Sequence, residues 1–344
     1  MIGDVLTSSI LFEALKKKHP EAELHYLIYK HTQPVVENNP FIDKIIPFDP
    51  ANKENFYKLW KFSRRIQSEH YDIVIDVYSK INSAFLTALS GAKKRISYHK
   101  WYTRKAYTQT FRLKKHPNTP AGLAVENRML LLEGISNNFP SEIQPKIYLT
   151  ATEKIQGKEK LRKAGISQEK PLFMVGILGS SANKTYPLHY MAQVLDFIVD
   201  KTQANFLLNY TPQQKQQAKE LFSKCNAKTR KNIHFEIYGK SLREFMALTS
   251  CCDAFIGNEG GAANMAKALG VPTFSIFSPQ IKKENWSLYE DGKKHVSVHL
   301  RDFEPALVEG TSKKKLSENA IHFYELLIPN LIFAPLEHFL NTNS

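Results

Sequence analysis

From residue 171 the chain alternates without a break between short apolar runs and helix-spaced segments, and no other feature constrains its fold as tightly. "LFMVGIL" reads as a strand, "PLHYMAQVLDFIVD" as a helix opened by Pro187, "ANFLLNY" as a strand and "TPQQKQQAKELF" as a helix. "NIHFEIY" (strand), "SLREFMALTS" (helix), "DAFIGN" (strand), "GAANMAKALG" (helix) and "PTFSIFSP" (strand) follow. Strands separated each time by a helix-length crossover are the grammar of a parallel, doubly wound α/β sheet. An earlier series repeats it: "AELHYLIY", "DKIIPF" and "YDIVIDVY" are strand-like, with helical spacing over 53–69 and 81–90. A chain of 344 residues accommodates two such domains. The polar, Lys-rich stretch around 151–170 is the expected boundary, giving domains over 1–165 and 166–315. Residues 316–344, interrupted by Pro329 and Pro335, are expected to pack back on the first domain.

Ligands of open α/β sheets sit outside the carboxyl ends of the strands, which singles out the loops at 3–8, 178–187, 209–214 and 257–264. In "GNEGGAANMAKALG", Gly257, Gly260 and Gly261 flank Glu259 between a strand and a helix, so backbone N–H groups are free to approach a diphosphate. A tight strand-helix turn would need the same glycines. Glu259 favours a ligand, because a carboxylate beside an anion-binding helix end suits a ligand hydroxyl or the helix dipole. The order of glycines is not that of a dinucleotide fingerprint. In "GILGSSANKTYP", Ser180 and Ser181 offer hydroxyl and amide donors, and Lys184 precedes a helix start, a poor place for the dipole and a good one for a phosphate. An ordinary surface lysine remains the alternative, and no Walker A motif is present. Metal ligation finds no Asp-x-Asp, and "HVSVH" at 295–299 reads as a strand with its valines inward. No nucleophile elbow or Cys-His context supports acyl transfer. The expected chemistry is metal-free and needs no cofactor.

The charge of +14 is unevenly spread. Between Asp76 and Glu126 there is no acid, while Lys80, Lys93, Lys94, Arg95, Lys100, Arg104, Lys105, Arg112, Lys114 and Lys115 crowd the segment. A solvated basic face, an anionic ligand or membrane surface, and nucleic acid are all compatible with such a field. Tyr98, Trp101, Tyr102 and Tyr107 would suit base stacking, but no nucleic-acid-binding signature accompanies them. Three cysteines without zinc spacing favour a reducing compartment. With no run of eighteen apolar residues and no signal-peptide cleavage site in residues 1–20, a soluble cytoplasmic protein is expected.

The opening "MIGDVLTSSILFEALKKKHP" places Gly3-Asp4 directly ahead of a helix whose apolar residues Leu6, Ile10, Leu11, Ala14 and Leu15 are helically spaced. Such a turn ordinarily follows a buried strand. Here "MI" cannot supply one, since a strand of that kind needs about eight residues. The sequence is therefore expected to lack the first strand of its N-terminal domain, through a late start or a clipped chain.

Together, "IGDVLTSSILFEALKKKHPEAELHYL", "NPFIDKIIPFD", "YDIVIDVYS", the Lys184-to-Pro187 loop and "SLREFMALTSCCDAFIGNEGGAANMAKALGVPTFSIFSP" resemble glycosyltransferase family 9, the ADP-heptose:lipopolysaccharide heptosyltransferases. The resemblance runs from residue 2 to about 290. It implies a GT-B fold, two Rossmann-like domains facing a cleft, and inverting, metal-independent transfer from a nucleotide sugar. Asp4 matches the family's general base, and Gly3 precedes it on the acceptor side. Ser180, Ser181 and Lys184 match the groups that hold the diphosphate; Gln214, Glu259, Gly260, Gly261 and Asn264 fall at the remaining donor positions. Several depart from the family's pattern. Asn264 stands for a histidine, Gly260 for a hydroxyl residue, Gln214 for a glutamate, Thr185-Tyr186-Pro187 for Arg-Trp-Pro, and Ala124 for an acceptor-side histidine. These departures bear on which sugar and acceptor are used. Lys80, Lys93, Lys94, Arg95, Lys100 and Arg104 are the cations expected to meet an anionic glycolipid acceptor at the inner face of the cytoplasmic membrane. The resemblance also accommodates a different sugar donor, or a silent relative that only binds.

Overall fold

The computed structural model describes residues 1–140, 143–166 and 169–343, and the chain divides into two compact units, Met1–Pro145 and Lys146–Ser344. Within the N-terminal unit, β1 (His25–Tyr29) pairs in parallel with β2 (Lys44–Phe48). A separate sheet holds β3 (Ile73–Asp76), β4 (Lys94–Tyr98) and β5 (Gln109–Phe111), also parallel. No strand joins the two sheets among the described residues, so β1 and β3 each keep one unpaired edge. The helices Phe56–Gln67 and Ile81–Ala88 follow β2 and β3, as parallel crossovers require. The apolar stripe Leu59, Phe62, Ile66 closes on Ile46, Phe48 and Leu86. Asp4 and Gly3 do not sit on a loop after a strand: they lie inside the helix Ile2–Ser8, whose continuation Ile10–Lys18 ends in the three lysines that complement its dipole.

The C-terminal unit carries one parallel sheet in the order β10-β9-β8-β6-β7, made of β6 (Leu172–Gly176), β7 (Asn205–Asn209), β8 (Ala254–Asn258), β9 (Thr273–Ile276) and β10 (His295–Val298). Its central strands are buried on both faces, which is why they read as unbroken apolar runs. One expected strand is replaced. "NIHFEIY" makes only a single bridge, Ile233 to Phe206 on β7, before its aromatics turn into a cluster where Tyr210 lies 5.3 Å from Phe235 and 4.8 Å from Tyr238. The fifth strand is instead "HVSV", where burial reaches His295 and Ser297 as well as Val298.

The domain limits also differ from those expected. Helix Ala151–Lys163 belongs to the C-terminal unit, packed on Leu242–Thr249 through Glu153–Arg243 and Lys160–Glu244 ion pairs of 2.5 Å each. The segment after residue 315, expected to pack on the first domain, falls in the C-terminal unit. Ile332, Leu336, Phe339 and Leu340 of helix Pro329–Asn343 enter the core of the C-terminal unit, and Phe333 stacks on Phe197 at 4.3 Å. Pro335 is accommodated within that helix. Among the described residues no helix is long and apolar enough to cross a membrane.

Candidate functional site

At the carboxyl ends of β6 and β7 the loops of the C-terminal unit surround a cavity of about 450 Å³. Its walls bring together Ser180 and Ser181 from the loop after β6, Gln214 at the start of helix Lys215–Lys224, and Tyr324 from helix Ala320–Leu326. The Ser-Ser-Lys loop is closed tightly on itself: a Cβ on Gly179 would stand 2.1 Å from the Lys184 carbonyl oxygen, so only glycine fits. Thr185 Oγ1 accepts from Gly179 N at 3.1 Å and donates to Ser181 O at 2.9 Å. The hydroxyls of Ser180 and Ser181 are thereby left exposed and uncommitted at the cavity.

Asn183 ties this loop to its neighbours. Its carbonyl accepts from Ser278 Oγ at 2.7 Å and from Gln280 Nε2 at 2.9 Å, and its amide donates to Ser317 O at 3.1 Å. Asn258, at the end of β8, does the same from below. Its side-chain oxygen accepts from Tyr186 N at 2.6 Å, and its amide donates to Gly176 O at 2.9 Å. β6 and β8 approach so closely here that a Cβ on Gly257, where φ is +143°, would lie 2.3 Å from Gly176 O. The strands can meet only because that residue is glycine.

Among the described residues Lys184 has no ion pair, yet its charge reaches Glu259, the residue after β8. Glu259 Oε1 is shut off from solvent and has no hydrogen-bond partner. Burial pushes this carboxyl above its ordinary range, and the ammonium of Lys184 pulls it part of the way back. The hydroxyl of Tyr324 is a second buried group without a partner in bonding geometry, although Ser278 lies beside it. Its ionisation is pushed far up, first by burial and then by the negative charge of Glu259. Two orphaned polar atoms in one electrostatic neighbourhood, with a free cation and two free hydroxyls, suit a ligand that brings both anionic and hydroxyl groups. Gly260 and Gly261 open helix Gly261–Ala268, and a Cβ on Gly260 would meet only open space. Asn264 lies one turn into the same helix. Gln214 is partly spent: its Oε1 accepts from Thr211 N at 3.0 Å.

In the N-terminal unit the carboxylate of Asp4 is one-third exposed and paired with Arg128 at 3.1 Å. Arg128, itself buried, also donates to Ser8 Oγ at 2.8 Å and Ala124 O at 2.7 Å, so Asp4 is held against a fixed guanidinium. The six expected acceptor-side cations do not form one patch. Lys93, Lys94 and Arg95 stand at the entry of β4, whereas Lys80, Lys100 and Arg104 stand at the exits of β3 and β4. Five residues of extended chain, roughly 13 Å from first to last Cα, separate the two groups. Arg95 is moreover structural, its guanidinium bonded to Ala92 O at 2.7 Å and Ala106 O at 3.0 Å. Lys100 Nζ is held by Ser79 O at 2.8 Å. Among the described residues no cluster of three or more His, Cys, Asp or Glu is placed to hold a metal ion.

Sequence reasoning named Ser180, Ser181, Lys184, Gln214 and Glu259 but missed Asn183, Asn258, Tyr324 and Arg128. Asn183 and Asn258 lie inside the singled-out loops 178–187 and 257–264, as polar residues beside the groups named there. Tyr324 carried no local signal.

Comparison with known proteins agrees with the resemblance. The sequence model of glycosyltransferase family 9 (heptosyltransferase) matches residues 59–316. Lipopolysaccharide heptosyltransferase 1 of Campylobacter coli is 22% identical over 283 residues, covering 80% of this chain and 81% of that protein. The crystal structure of a family 9 glycosyl transferase from Veillonella parvula DSM 2008 superposes with a TM-score of 0.83 at 19% identity, over 99% of this chain and 94% of that one. The E. coli heptosyltransferase WaaC with ADP superposes with a TM-score of 0.69 at 13% identity, over 100% of this chain and 97% of that one. These likenesses fix the fold as that of the heptosyltransferases, the expected two-domain α/β class.

Proposed function

The chain belongs to glycosyltransferase family 9, and from that premise we propose that it transfers a heptose from an ADP-linked donor to the inner core of a lipopolysaccharide, inverting the anomeric centre. The observation that carries the donor side is the β6–β7 cavity, where free hydroxyls of Ser180 and Ser181 stand on the loop that ends in the unpaired Lys184. A similar protein, WaaC, was crystallised with ADP. In this reading the hydroxyls and Lys184 bind the diphosphate and neutralise the charge that grows on it as the anomeric C–O bond breaks, without a metal or other cofactor. Glu259 takes a hydrogen bond from a donor hydroxyl, which gives its buried oxygen the partner it lacks. Gln214 Nε2 and Asn264 contact the nucleoside or sugar, and the amides of Gly260 and Gly261 face the phosphates.

Asp4 acts as general base, taking the proton of the acceptor hydroxyl as its oxygen bonds to the anomeric carbon. Arg128 orients the carboxylate for that transfer. The acceptor is an anionic glycolipid, and Lys80, Lys100 and Arg104 at the strand exits are the cations that meet it. Lys93, Lys94 and Arg95 are left out of this role by their place at the other end of β4.

The test is nucleotide release. Purified protein is given ADP-heptose and a panel of UDP- and GDP-sugars, with lipopolysaccharide truncated before its heptoses as acceptor. Acceptor-dependent release of ADP from ADP-heptose is expected. Release from another sugar nucleotide alone would replace the donor assignment, and release from none would overturn the enzymatic reading.

A further inference from the structure

Glu259 Oε1 and the hydroxyl of Tyr324 are both shut off from solvent and both lack a hydrogen-bond partner. The elements that carry them converge on the loop after β6. Glu259 continues β8, and its N–H donates at 3.0 Å to the carbonyl of Ile276, the last residue of β9. Two residues further on, Ser278 lies beside the Tyr324 hydroxyl and donates its own hydroxyl to Asn183 O at 2.7 Å. Lys184, the next residue of that loop, is the cation that acts on Glu259. An ionised carboxylate only accepts and a protonated phenol can donate, so these orphaned atoms are complementary.

Tyr324 is held where it is from both sides along the chain. Before it, Asn183 Nδ2 donates to Ser317 O at 3.1 Å, and Ser317 Oγ donates to Gln280 Oε1 at 3.0 Å. After it, the Tyr190 hydroxyl donates to Glu325 O at 3.1 Å and the Tyr186 hydroxyl to Leu327 O at 2.6 Å. The ring itself is fully buried in a T-shaped contact with Tyr186. Phenylalanine would fill the same space without burying an unsatisfied hydroxyl, so packing alone does not account for the phenol.

We propose that Tyr324 is a positioning residue for Glu259, its hydroxyl donating to the buried carboxylate oxygen and so holding the side chain in place for a hydroxyl of the donor sugar. The inference rests on the reading of Glu259 as a donor contact and deepens it. Burial disfavours the charge on Glu259 and keeps the phenol protonated, so the phenol's proton is present to meet the carboxylate as it ionises. A carboxylate oxygen has room for two hydrogen bonds, and the bond from Tyr324 leaves one acceptor position for the sugar. Without the phenol, binding of the sugar has to order Glu259 as well, which weakens the sugar's contribution and spares that of the diphosphate.

Titration calorimetry of Tyr324→Phe with ADP and with ADP-heptose, no acceptor present, tests the proposal, because the variant keeps the ring and loses only the hydroxyl. Affinity for ADP should stay within about twofold of the parent, and affinity for ADP-heptose should fall about tenfold. In a Glu259→Ala background the same substitution should change neither. The sugar-dependent part of the affinity is lost as pH falls and Glu259 takes up a proton. Removing a donor from the carboxylate raises its pKa, so this acid limb should move to higher pH in Tyr324→Phe, while Lys184, the other titratable group facing Glu259, is unaltered. Equal weakening of ADP and ADP-heptose, an unmoved acid limb or additive losses in the double variant would each overturn the proposal. Denaturant unfolding of the parent, both single variants and the double variant at about pH 8 probes the link without nucleotide, and a coupling of about fivefold in the folding constant is expected. This separates the two readings. A parent that binds ADP-heptose no better than ADP removes Glu259 as a donor contact, while coupled unfolding still places Tyr324 on Glu259; additive unfolding with the sugar preference intact removes only the positioning role.

Discussion

Replacing Asn258 with alanine should loosen the Ser-Ser-Lys loop and the fold together. The side chain is 3% exposed, and it satisfies two backbone groups of different elements: Tyr186 N at 2.6 Å and Gly176 O at 2.9 Å. Alanine leaves both without a partner where water has little access, and each such loss costs about 1–3 kcal/mol. A total near 3 kcal/mol corresponds to a melting point lowered by about 6–12 °C for a unit of this size. Because Tyr186 follows Lys184 by two residues, the loop also loses its fixed position, and nucleotide affinity should fall about tenfold as ordering is transferred to the binding step. Asn258→Asp should not rescue either property, since it keeps an acceptor for Tyr186 but presents a second acceptor to Gly176 O. Thermal denaturation and titration calorimetry with ADP read the two effects. A variant that melts within about 2 °C of the parent and binds nucleotide equally well would refute the bridging role of Asn258.

Asp4→Asn should lower kcat by about 10²–10⁴-fold with nucleotide affinity nearly unchanged, since a base acts in the transition state and asparagine keeps a polar partner for Arg128; an active variant would remove Asp4 from the mechanism. Lys184→Ala should weaken ADP binding by roughly 1.5–3 kcal/mol, the worth of a charged hydrogen bond, and unaltered calorimetric titration would return Lys184 to the surface. Glu259→Gln should change the pH dependence of stability. The folded carboxyl titrates above its unfolded value, so the native state binds more protons in the window just above pH 4.5, and stability falls as pH rises through that window. The glutamine variant should therefore be the more stable protein at neutral pH and lose its advantage below about pH 4.5. Denaturant midpoints across that range that run parallel for the two proteins would contradict the buried, unpartnered state of Glu259.

Local pattern determined much of this protein. Apolar runs bounded by turn residues locate the strands from β1 to β3 and β6 to β9, because a buried parallel strand must be apolar on both faces and must be followed by a crossover. The same rule placed the ligand loops at strand ends, so Ser180, Ser181, Lys184 and Glu259 could be named before any fold was seen. What local pattern could not decide was which segments compete for the same place. "NIHFEIY" and "HVSV" are both strand-like, but only the second forms a full ladder, beside β9, while the first makes one bridge to the β7 edge before it is drawn into the aromatic cluster around Tyr210. The helix Ala320–Leu326 joined the cavity at the ends of β6 and β7, and Tyr324 came with it, because Tyr186 lies in a T-shaped contact with Tyr324 at 5.7 Å and donates its hydroxyl to Leu327 O at 2.6 Å. The basic segment appeared continuous along the chain because sequence counts residues, not strand ends. Threading β4 through it put Lys93, Lys94 and Arg95 at one end of the sheet and Lys100 and Arg104 at the other, beside Trp101. Periodicity is written in neighbouring residues, whereas the partners of Tyr324, Asn258 and Arg128 are remote in sequence, and only the packed chain brings them together.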